Sequence, residues 1–324
     1  MPVTVIARAD TGPVPNSLRF IDIGVNLTDP VFRGSYHGKK RHDDDMDAML
    51  ERARNSGVKS MLITGTSLRE SQQALQLAQR LGVYCTIGCH PTRSAEFDKF
   101  GGGPEAYLSA LDKLVASGLQ GKGRAVAIGE CGLDYDRLRF ATPEVQQRHF
   151  RAQLSLAKKY HLPLFLHSRA AHADFVNILR EEGFGEDGGK AVGGRGGMDM
   201  GFYLSVNGCS LKTEENLEVA KAIRPERVLL ETDAPWCSMT GGHASKHHLS
   251  SLPPSLRALY FPPSTRPENF VHGKAVKGRN EPCATGGVAW VMHKLHDVPF
   301  ETITEMAFKN TIDLFGLDAE LKLN

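Results

Sequence analysis

The sequence has few of the patterns that mark secreted, disulfide-bonded or membrane proteins. Its six cysteines are scattered and form no CxxC pair, which argues against a zinc knuckle and against a disulfide framework. Residues 1–18 contain no long apolar run, because Asp10 and Pro13 interrupt it, and no stretch has the length and apolar character of a transmembrane helix. We therefore expect no membrane association and a cytoplasmic or nuclear location, or both.

The charge balance does not single out a class of partner. Over 324 residues the net charge is +2, which does not indicate a polyanionic ligand. A basic cluster at Lys39–Arg41 is able to contact phosphate, although such clusters are more often solvated surface. The length fits one large α/β barrel or two ordinary domains, and no feature indicates an obligate protein partner.

Three apolar segments each lead to a side chain that is able to bind a metal. A chain in which strands alternate with helices forms a parallel sheet, and such folds carry their chemistry at the carboxyl ends of the strands. The strand candidates are Ala125–Ile128, Pro163–Leu166 and Val228–Leu230, and the side chains that follow them are Glu130, His167 and Asp233. The sequence therefore predicts that these three side chains converge.

Glu130, His167 and Asp233 form a mixed nitrogen and oxygen ligand set, which suits Mg²⁺, Mn²⁺ or Zn²⁺. Any one of them alone is equally well explained as a structural hydrogen-bonding group. Their shared position after three strands favours a site for one or two divalent ions, with Mg²⁺ as the first choice.

Other polar and aromatic residues have two interpretations each. His90, after the strand candidate Val83–Gly88, would bind metal or phosphate, or neither. Arg137 and Arg169 would clamp a phosphate or pair with a neighbouring carboxylate. Trp236 is more typical of packing or of a cleft rim than of a base-stacking platform. The basic residues of the segment 274–279 would reach over the site or stay in solvent.

The remaining pattern predicts repeated βα units but leaves one of them out. Seven barrel strands are readable where closure requires eight. The gap is residues 183–201, of which nine out of 19 are glycine, and it predicts neither a strand nor an amphipathic helix. Residues 250–282 are predicted to be a proline-rich segment without regular structure, followed by two amphipathic helices.

Several motifs occur together and support a resemblance. They are Asp22–Leu27 (DIGVNL), Gly88–Pro91 (GCHP), Ile128–Asp134 (IGECGLD), Phe165–Arg169 (FLHSR), Asn207–Ser210 (NGCS), Glu231–Trp236 (ETDAPW) and Lys277–Pro282 (KGRNEP). Over about residues 19–316 the chain resembles the TatD family of metal-dependent deoxyribonucleases, and within it the eukaryotic branch.

The resemblance implies an amidohydrolase-like TIM barrel, (β/α)8, that hydrolyses DNA phosphodiester bonds with a metal-activated water. The family typically acts as a 3′→5′ exonuclease, which implies DNA 3′ ends as the partner, with little sequence specificity. Carried over to this chain, Glu130 would share the metals, while His167 would bind one and Asp233 the other. Glu130 and Asp233 would then be the catalytic carboxylates, Asp233 orienting or deprotonating the water.

The resemblance also gives roles to the residues around the metals. His90 would lie near the scissile phosphate, and Asp134 and Arg169 would act on the phosphate side, where Arg137 is a further candidate. Two alternatives remain: a hydrolase of a small amide or ester on the same scaffold, and a catalytically impaired relative.

The chain departs from the family pattern at two positions. Many members carry His-x-His on strand 1, where this chain has Gly24-Val25-Asn26, a substitution that the eukaryotic branch shares. The family also places a histidine on strand 6, followed by a helix, and here the glycine-rich residues take that position. We hypothesise that a contiguous segment around residues 190–200 has been lost, by exon skipping or through an error in the gene model.

These observations predict three regions. They are an N-terminal extension at 1–18, a TatD-like barrel domain at 19–318 with a glycine-rich junction at 183–201, and a C-terminal tail at 319–324.

Overall fold

The computed structural model describes residues 18–121, 123–185, 191–192, 200–318 and 321. Apart from Leu18, the predicted N-terminal extension lies outside the described residues. Most of the glycine-rich junction and, apart from Leu321, most of the predicted tail lie outside them as well.

Short strands, parallel in the main sheet, alternate with helices along most of the described chain, and the strands Ser35–Tyr36 and Lys39–Lys40 form a separate antiparallel pair. The strands are β1 (Phe20–Val25), β2 (Ser35–Tyr36), β3 (Lys39–Lys40), β4 (Val58–Ile63), β5 (Tyr84–Ile87), β6 (Ala125–Asp134), β7 (Leu164–Arg169), β8 (Ala191–Val192), β9 (Leu204–Val206), β10 (Val228–Leu230), β11 (Ser264–Thr265) and β12 (Ala275–Val276). The helices are α1 (Met46–Asn55), α2 (Leu68–Leu81), α3 (Ala95–Lys99), α4 (Gly103–Gly118), α5 (Pro143–Tyr160), α6 (His172–Glu181), α7 (Glu214–Ala222), α8 (Lys246–Ser250), α9 (Pro254–Tyr260), α10 (Thr285–His296) and α11 (Phe300–Phe315). Among them, none combines the length and the apolar character that a membrane span requires.

The strands form a barrel wall with one seam. A parallel sheet runs in the order β1-β4-β5-β6-β7-β8, and β9 and β10 form a second parallel pair. A parallel bridge between Val25 and Ala234 joins the chain just after β10 to β1, and the Asp233 amide donates to the Gly24 carbonyl at 2.8 Å. This arrangement confirms the predicted TIM-barrel fold.

The seam lies where the sequence predicted a missing strand. The two-residue strand β8 pairs with β7 there. The expectation that this segment contains no strand was therefore wrong for these two residues. Within the described residues no backbone pairing connects β8 to β9. The prediction that the next helix is also missing falls on residues 193–199, outside the described part of the chain.

Two apolar clusters hold the barrel together, one inside the strands and one between the strands and the helices. Side chains from opposite parts of the wall, including Ile23, Val126, Phe165 and Leu229, belong to the same cluster, which α11 extends through Phe308 and others. A barrel filled by side chains is a packed core rather than a pore.

The helices form where the sequence predicts them, because capping residues and apolar spacing agree. Ser67 caps α2 by accepting a hydrogen bond from the Glu70 amide, and the helix ends at Gly82 in the left-handed conformation. Its buried face includes Ala74 and Ala78, one turn apart as an amphipathic helix requires.

The segment 250–282 is more regular than predicted. Pro254 occupies the first turn of α9, where its missing N–H costs no hydrogen bond, and β11 pairs with β12. Tyr260 at the end of α9 packs edge to face on Phe20, with ring centroids 5.9 Å apart. The helices and strands of the segment 250–282 are short and bounded by prolines, so they contain too few residues for a periodic apolar pattern to predict them.

Candidate active site

The register of β6 against β7 positions the first group of polar side chains. Gly132 pairs with His167 and Asp134 pairs with Arg169, so β6 continues past the predicted strand end and carries Glu130 within it. Because both strands are parallel and end at the same side of the barrel, Glu130 and Asp134 come to lie beside His167.

His167 lies between the two carboxylates. Its Nδ1 is 3.1 Å from Glu130 Oε1, within hydrogen-bond distance. Its Nε2 is 3.3 Å from Asp134 Oδ2 but is not aligned for a hydrogen bond, which leaves this buried nitrogen without a hydrogen-bond partner among the described residues. A buried nitrogen of this kind, facing carboxylates, is typical of a metal ligand.

His90 completes the group from the end of β5. Its ring centroid lies 4.5 Å from that of His167, and its Nε2 is 3.9 Å from Glu130 Oε1. Of the described residues, His90, Asp134 and His167 form a group of three whose ligand atoms all lie within 4.8 Å of one another. The predicted convergence therefore includes Asp134 and His90 as closely as Glu130.

The tautomer of His90 follows from its hydrogen bonds. The backbone N–H of Thr92 donates to His90 Nδ1 at 3.2 Å, so Nδ1 is the acceptor and the proton resides on Nε2. Burial, the largest influence, lowers the pKa of His90 to about 4. His90 is therefore a neutral imidazole that presents an N–H group toward Glu130.

Asp233 approaches the same end of the barrel from the chain after β10. Its Oδ1 accepts a hydrogen bond from Asn26 Nδ2 at 2.9 Å, and its Oδ2 accepts one from the Cys237 thiol at 3.2 Å. Burial and then the negative charge of Glu130 raise the pKa of Asp233 to about 6. Asp233 thus lies within electrostatic reach of Glu130, although it is not part of the three-residue group above.

Two buried contacts fix the chain that carries Asp233. Asp22 on β1 accepts hydrogen bonds from the amide of Thr232 at 2.9 Å and from its hydroxyl at 2.5 Å. From the far end of the chain, Asn280 Nδ2 donates to the Thr232 carbonyl at 3.0 Å, and the Asn280 amide donates to the Pro235 carbonyl at 2.9 Å. The position of Asp233 is therefore set by β1 and by the KGRNEP motif.

Glu231 is a buried site residue that the sequence analysis did not single out. Its Oε1 accepts a hydrogen bond from Asn207 Nδ2 at 2.5 Å. A Cβ added to Gly24 would lie 2.8 Å from Glu231 Oε2, so the carboxylate fills space that the glycine leaves free. Glu231 directly follows β10, and a carboxylate at the end of a barrel strand is the signal that would have indicated it.

The site concentrates negative charge. Burial and then the charge of Asp233 raise the pKa of Glu231 to about 8, and burial raises that of Asp22 to about 7. His167 responds oppositely: burial disfavours its charge, but Asp134 and Glu130 outweigh this and raise its pKa to about 9. For Glu130, burial is outweighed by His90 and His167, and its pKa is lowered. Carboxylates crowded in this way favour a bound cation.

Two arginines stand at the mouth, as predicted, and each contacts a carboxylate. Arg169 Nε donates to Asp136 Oδ2 at 2.8 Å, and Arg137 Nε is 3.8 Å from Asp134 Oδ2. Both side chains are about half exposed and line the cleft. The structure thus shows the carboxylate contacts, and phosphate binding stays a prediction, since a guanidinium that pairs through one N–H group keeps others for a phosphate.

Arg279 does not reach over the site, as one interpretation of the sequence had it. It is buried, and its two terminal nitrogens each lie 2.6 Å from Asp45 carboxylate oxygens. It also donates to Glu281 at 2.7 Å. Its charge therefore holds the C-terminal loop against the loop before α1.

His90, Glu130, Asp134, His167 and Asp233 open into one cleft of about 1400 Å³ at the carboxyl ends of the strands. Its lining includes every site residue predicted from the sequence, together with Glu231, Asn207, Cys209 and Cys237. The model of the TatD related DNase family matches residues 21–316. The chain belongs to the TatD family.

Relatives of the TatD family match nearly the whole chain. A deoxyribonuclease Tat-D of Schizosaccharomyces pombe is 45% identical, over 93% of this chain and 96% of that protein. A 3′-5′ ssDNA/RNA exonuclease TatD of Erwinia amylovora is 34% identical, over 91% of this chain and 99% of that protein. The solved structure of an uncharacterized amidohydrolase from Saccharomyces cerevisiae is similar with a TM-score of 0.82 and 34% identity, over 92% of this chain and 100% of that one. The chain is thus a TatD family deoxyribonuclease with the amidohydrolase TIM-barrel fold.

The structure shows which contacts the residues make at the two positions where the chain departs from the family pattern. At the strand 1 position, Asn26 holds Asp233, and Gly24 makes room for Glu231. For the strand 6 histidine the chain offers no neighbour in sequence, since it has no histidine between His172 and His243. Asn207 and Glu231 are polar residues that line this side of the cleft in the described part of the chain.

Proposed function

We propose that this TatD protein is a divalent-metal-dependent 3′→5′ exonuclease that hydrolyses phosphodiester bonds of DNA with little sequence preference. The observation that supports it most is the meeting of Glu130, His167 and Asp233 with His90 and Asp134 at the floor of one cleft. Family membership supports the reaction class, and the name of the bacterial relative supports the polarity.

The donors present fit a divalent cation. Glu130, His167 and Asp233 would hold it, as the sequence suggests, with carboxylate oxygens and imidazole nitrogens that suit Mg²⁺, Mn²⁺ or Zn²⁺. The buried His167 Nε2 that lacks a hydrogen bond, and the raised pKa values of the crowded carboxyls, are both consistent with that role. Such a cation lowers the pKa of a nearby water and offsets the charge of the phosphate oxygens.

The protein side chains supply positioning and proton transfer. Asp233, with its pKa of about 6, is ionised at neutral pH and is suited to accept the proton of the attacking water. Asn26 and Cys237 hold its two oxygens, which keeps the carboxylate in one orientation. The Nε2–H group of the neutral His90 is suited to donate to a non-bridging phosphate oxygen.

The arginines at the mouth would contact the phosphates. Arg137 and Arg169 are exposed at the cleft edge, and their free N–H groups match the geometry of phosphate oxygens. Because such contacts read the backbone and not the bases, sequence preference should be weak.

The test is hydrolysis of 5′-labelled single-stranded DNA with Mg²⁺ or Mn²⁺, in which successive loss of 3′ nucleotides gives a ladder. We expect Glu130→Gln and Asp233→Asn to lower the rate at least about 100-fold, in line with the cost of losing a group that acts on the transition state. Glu182→Gln, which changes an acid paired with Lys158 and Arg151 outside the cleft, serves as the matched control. Unchanged activity in both site variants would refute the assignment.

A hydrolase of small amides or esters remains the alternative. Cyclic amides assayed in parallel with the same variants decide between the two. Turnover of an amide that depends on Asp233, in a preparation inert toward DNA, would replace the nuclease proposal.

A further inference from the structure

Trp236 is an exposed aromatic ring on a fixed backbone. Its amide donates to the Asp233 carbonyl at 2.9 Å, and the preceding Pro235 carbonyl accepts the amide hydrogen bond of Asn280. The residue itself is 55% exposed. A large ring that is held by its backbone and leaves more than half of its surface in solvent is explained only in part by packing.

Its place in the fold distinguishes Trp236 from other exposed apolar residues. The large apolar side chains that are exposed in the described part of the chain are Phe100, Leu119, Leu138, Phe140, Trp236 and Val271. Of these, Trp236 alone lines the cleft above Asp233. The ring is therefore three residues from a proposed catalytic carboxylate and faces the space a substrate would enter.

A cation stands on the adjoining loop. The chain after β9 packs tightly on the chain after β10, since a Cβ on Gly208 would lie 1.9 Å from the Cys237 carbonyl oxygen. This close approach brings the segment 207–212 beside Trp236, and its Lys212 lines the same cleft. Lys212 forms no ion pair with any residue that the structure describes.

An aromatic ring and an unpaired ammonium group that line the same cleft match the two parts of one nucleotide. Single-stranded nucleic acids bind by stacking bases on aromatic rings while cations follow the phosphates. A base inside a duplex is already stacked on both faces, so it can stack on a protein ring only after the base has left the helix.

We propose that Trp236 is the stacking platform for the base of the 3′-terminal nucleotide, with Lys212 contacting the backbone. This inference rests on the proposed nuclease function and names the residues that would hold the terminal nucleotide. It assigns Trp236 to binding and specificity, while proton transfer stays with the carboxylates.

Intrinsic fluorescence tests the stacking without any turnover. The chain has two tryptophans, and the other, Trp290, is 8% exposed and donates its Nε1–H to the His248 carbonyl. We expect short oligothymidylate, added in EDTA, to quench the emission of a Trp290→Phe variant and to leave that of Trp236→Phe unchanged. Quenching that is equal in both variants, or absent from both, would overturn the proposal.

Combining protein variants with two substrates tests whether Trp236 recognises the 3′-terminal base. One substrate carries a normal 3′-terminal nucleotide and the other an abasic one, each assayed with Mn²⁺. We expect loss of the base to lower kcat/KM about tenfold in the natural protein and hardly at all in Trp236→Ala, as for one stacked base. Trp236→Tyr should keep most of the difference, and Phe140→Ala, an exposed ring outside the cleft, should keep all of it.

The outcomes separate this inference from the nuclease proposal. If no DNA is cleaved, quenching that depends on Trp236 still supports the stacking subsite, and its absence overturns it. If DNA is cleaved and Trp236→Ala still discriminates against the abasic end tenfold, the subsite is refuted while the nuclease stands. Lys212→Ala should weaken binding of both substrates equally and reduce its salt dependence.

Discussion

His167 Nδ1 lies 3.1 Å from Glu130 Oε1, and the same ring approaches Asp134 on its other side. The two carboxylates outweigh burial and raise the pKa of His167 to about 9. At neutral pH and without a cation the ring is therefore an imidazolium. A metal ion that takes a ring nitrogen must displace a proton.

The first prediction concerns this proton. Between pH 6.5 and 8.5 the apparent affinity for Mn²⁺ should rise by about tenfold per pH unit, because one proton leaves for each ion bound. Calorimetric titration in two buffers of different ionisation enthalpy measures the proton directly. Identical heats in both buffers would contradict the role of His167.

The second prediction concerns the stability of the metal-free protein. Folding raises the pKa of Glu231 from its ordinary 4.5 to about 8. It raises the pKa of His167 from 6.5 to about 9. The native state thus holds more protons than the unfolded state, and the stability from each group is lost as pH rises through its folded pKa. From pH 6.5 to 8 the free energy of unfolding should fall by up to about 1.4 kcal/mol per pH unit for each proton.

Urea unfolding in EDTA across this range measures the slope. Cys209 acts in the opposite direction above pH 7, since its interaction with the neighbouring Cys237 chiefly lowers its pKa to about 7. The series is therefore made in a Cys209→Ser background. Asp22, whose pKa burial raises to about 7, contributes in the same direction, so Glu231→Gln should lessen the decline without abolishing it, and a stability that rises with pH would refute the raised values.

The third prediction concerns the space that Gly24 leaves for Glu231. In Gly24→Ala the new methyl group meets Glu231 Oε2, so the carboxylate must move and the hydrogen bond that its Oε1 accepts from Asn207 is strained. We expect a loss of about 1–3 kcal/mol in stability, as for other overpacked sites, together with weaker Mn²⁺ binding. Gly101→Ala, where the structure shows nothing within 4 Å, should change stability by less than about 0.5 kcal/mol. Equal effects of the two substitutions would argue against the proposed contact.

The fourth prediction separates buried from exposed ion pairs. Arg279→Ala leaves the carboxylates of Asp45 and Glu281 buried without this partner, which should cost about 3–5 kcal/mol. Arg19 pairs with Glu305 at a comparable distance of 2.7 Å but at the surface, and Arg19→Ala should cost about 1 kcal/mol or less. Chemical denaturation of both variants gives the comparison, and similar losses would show that burial of the Arg279 network is unimportant.

The fifth prediction follows from the hypothesis of a lost segment. If exon skipping or an error in the gene model removed it, sequencing of the transcript across codons 190–205 should find messages that encode a further strand and helix. A uniform message without the segment would refute the gene-model explanation. A longer protein with the strand 6 histidine should then bind Mn²⁺ at least about tenfold more tightly, since ligands and their supports typically carry that much affinity.

The sequence predicts those features of the fold and the site that depend on neighbouring residues in the chain. The strand ends that carry Glu130 and His167 were readable because a parallel sheet forces such ends together. The three-residue group with Asp134 was not, because it depends on β6 running past Ile128 in register with β7. Pattern analysis cannot supply that register.

Long-range contacts explain the other differences. Arg279 is basic and lies in a loop, so the sequence favoured solvent or the cleft, yet Asp45, far away in the chain, buries it. Glu231 follows β10, and Gly24, from the opposite end of the chain, makes room for it. Each of these roles is set by a partner that no local pattern identifies.

The loop bearing Asp233 is held by Asp22 and Asn26 near the start of the chain and by Asn280 near its end. Since a domain is completed only when its last part has left the ribosome, a nascent chain lacks the final clasp of this site. The loop that carries Asp233 therefore has all its contacts only after nearly the whole polypeptide has been synthesised.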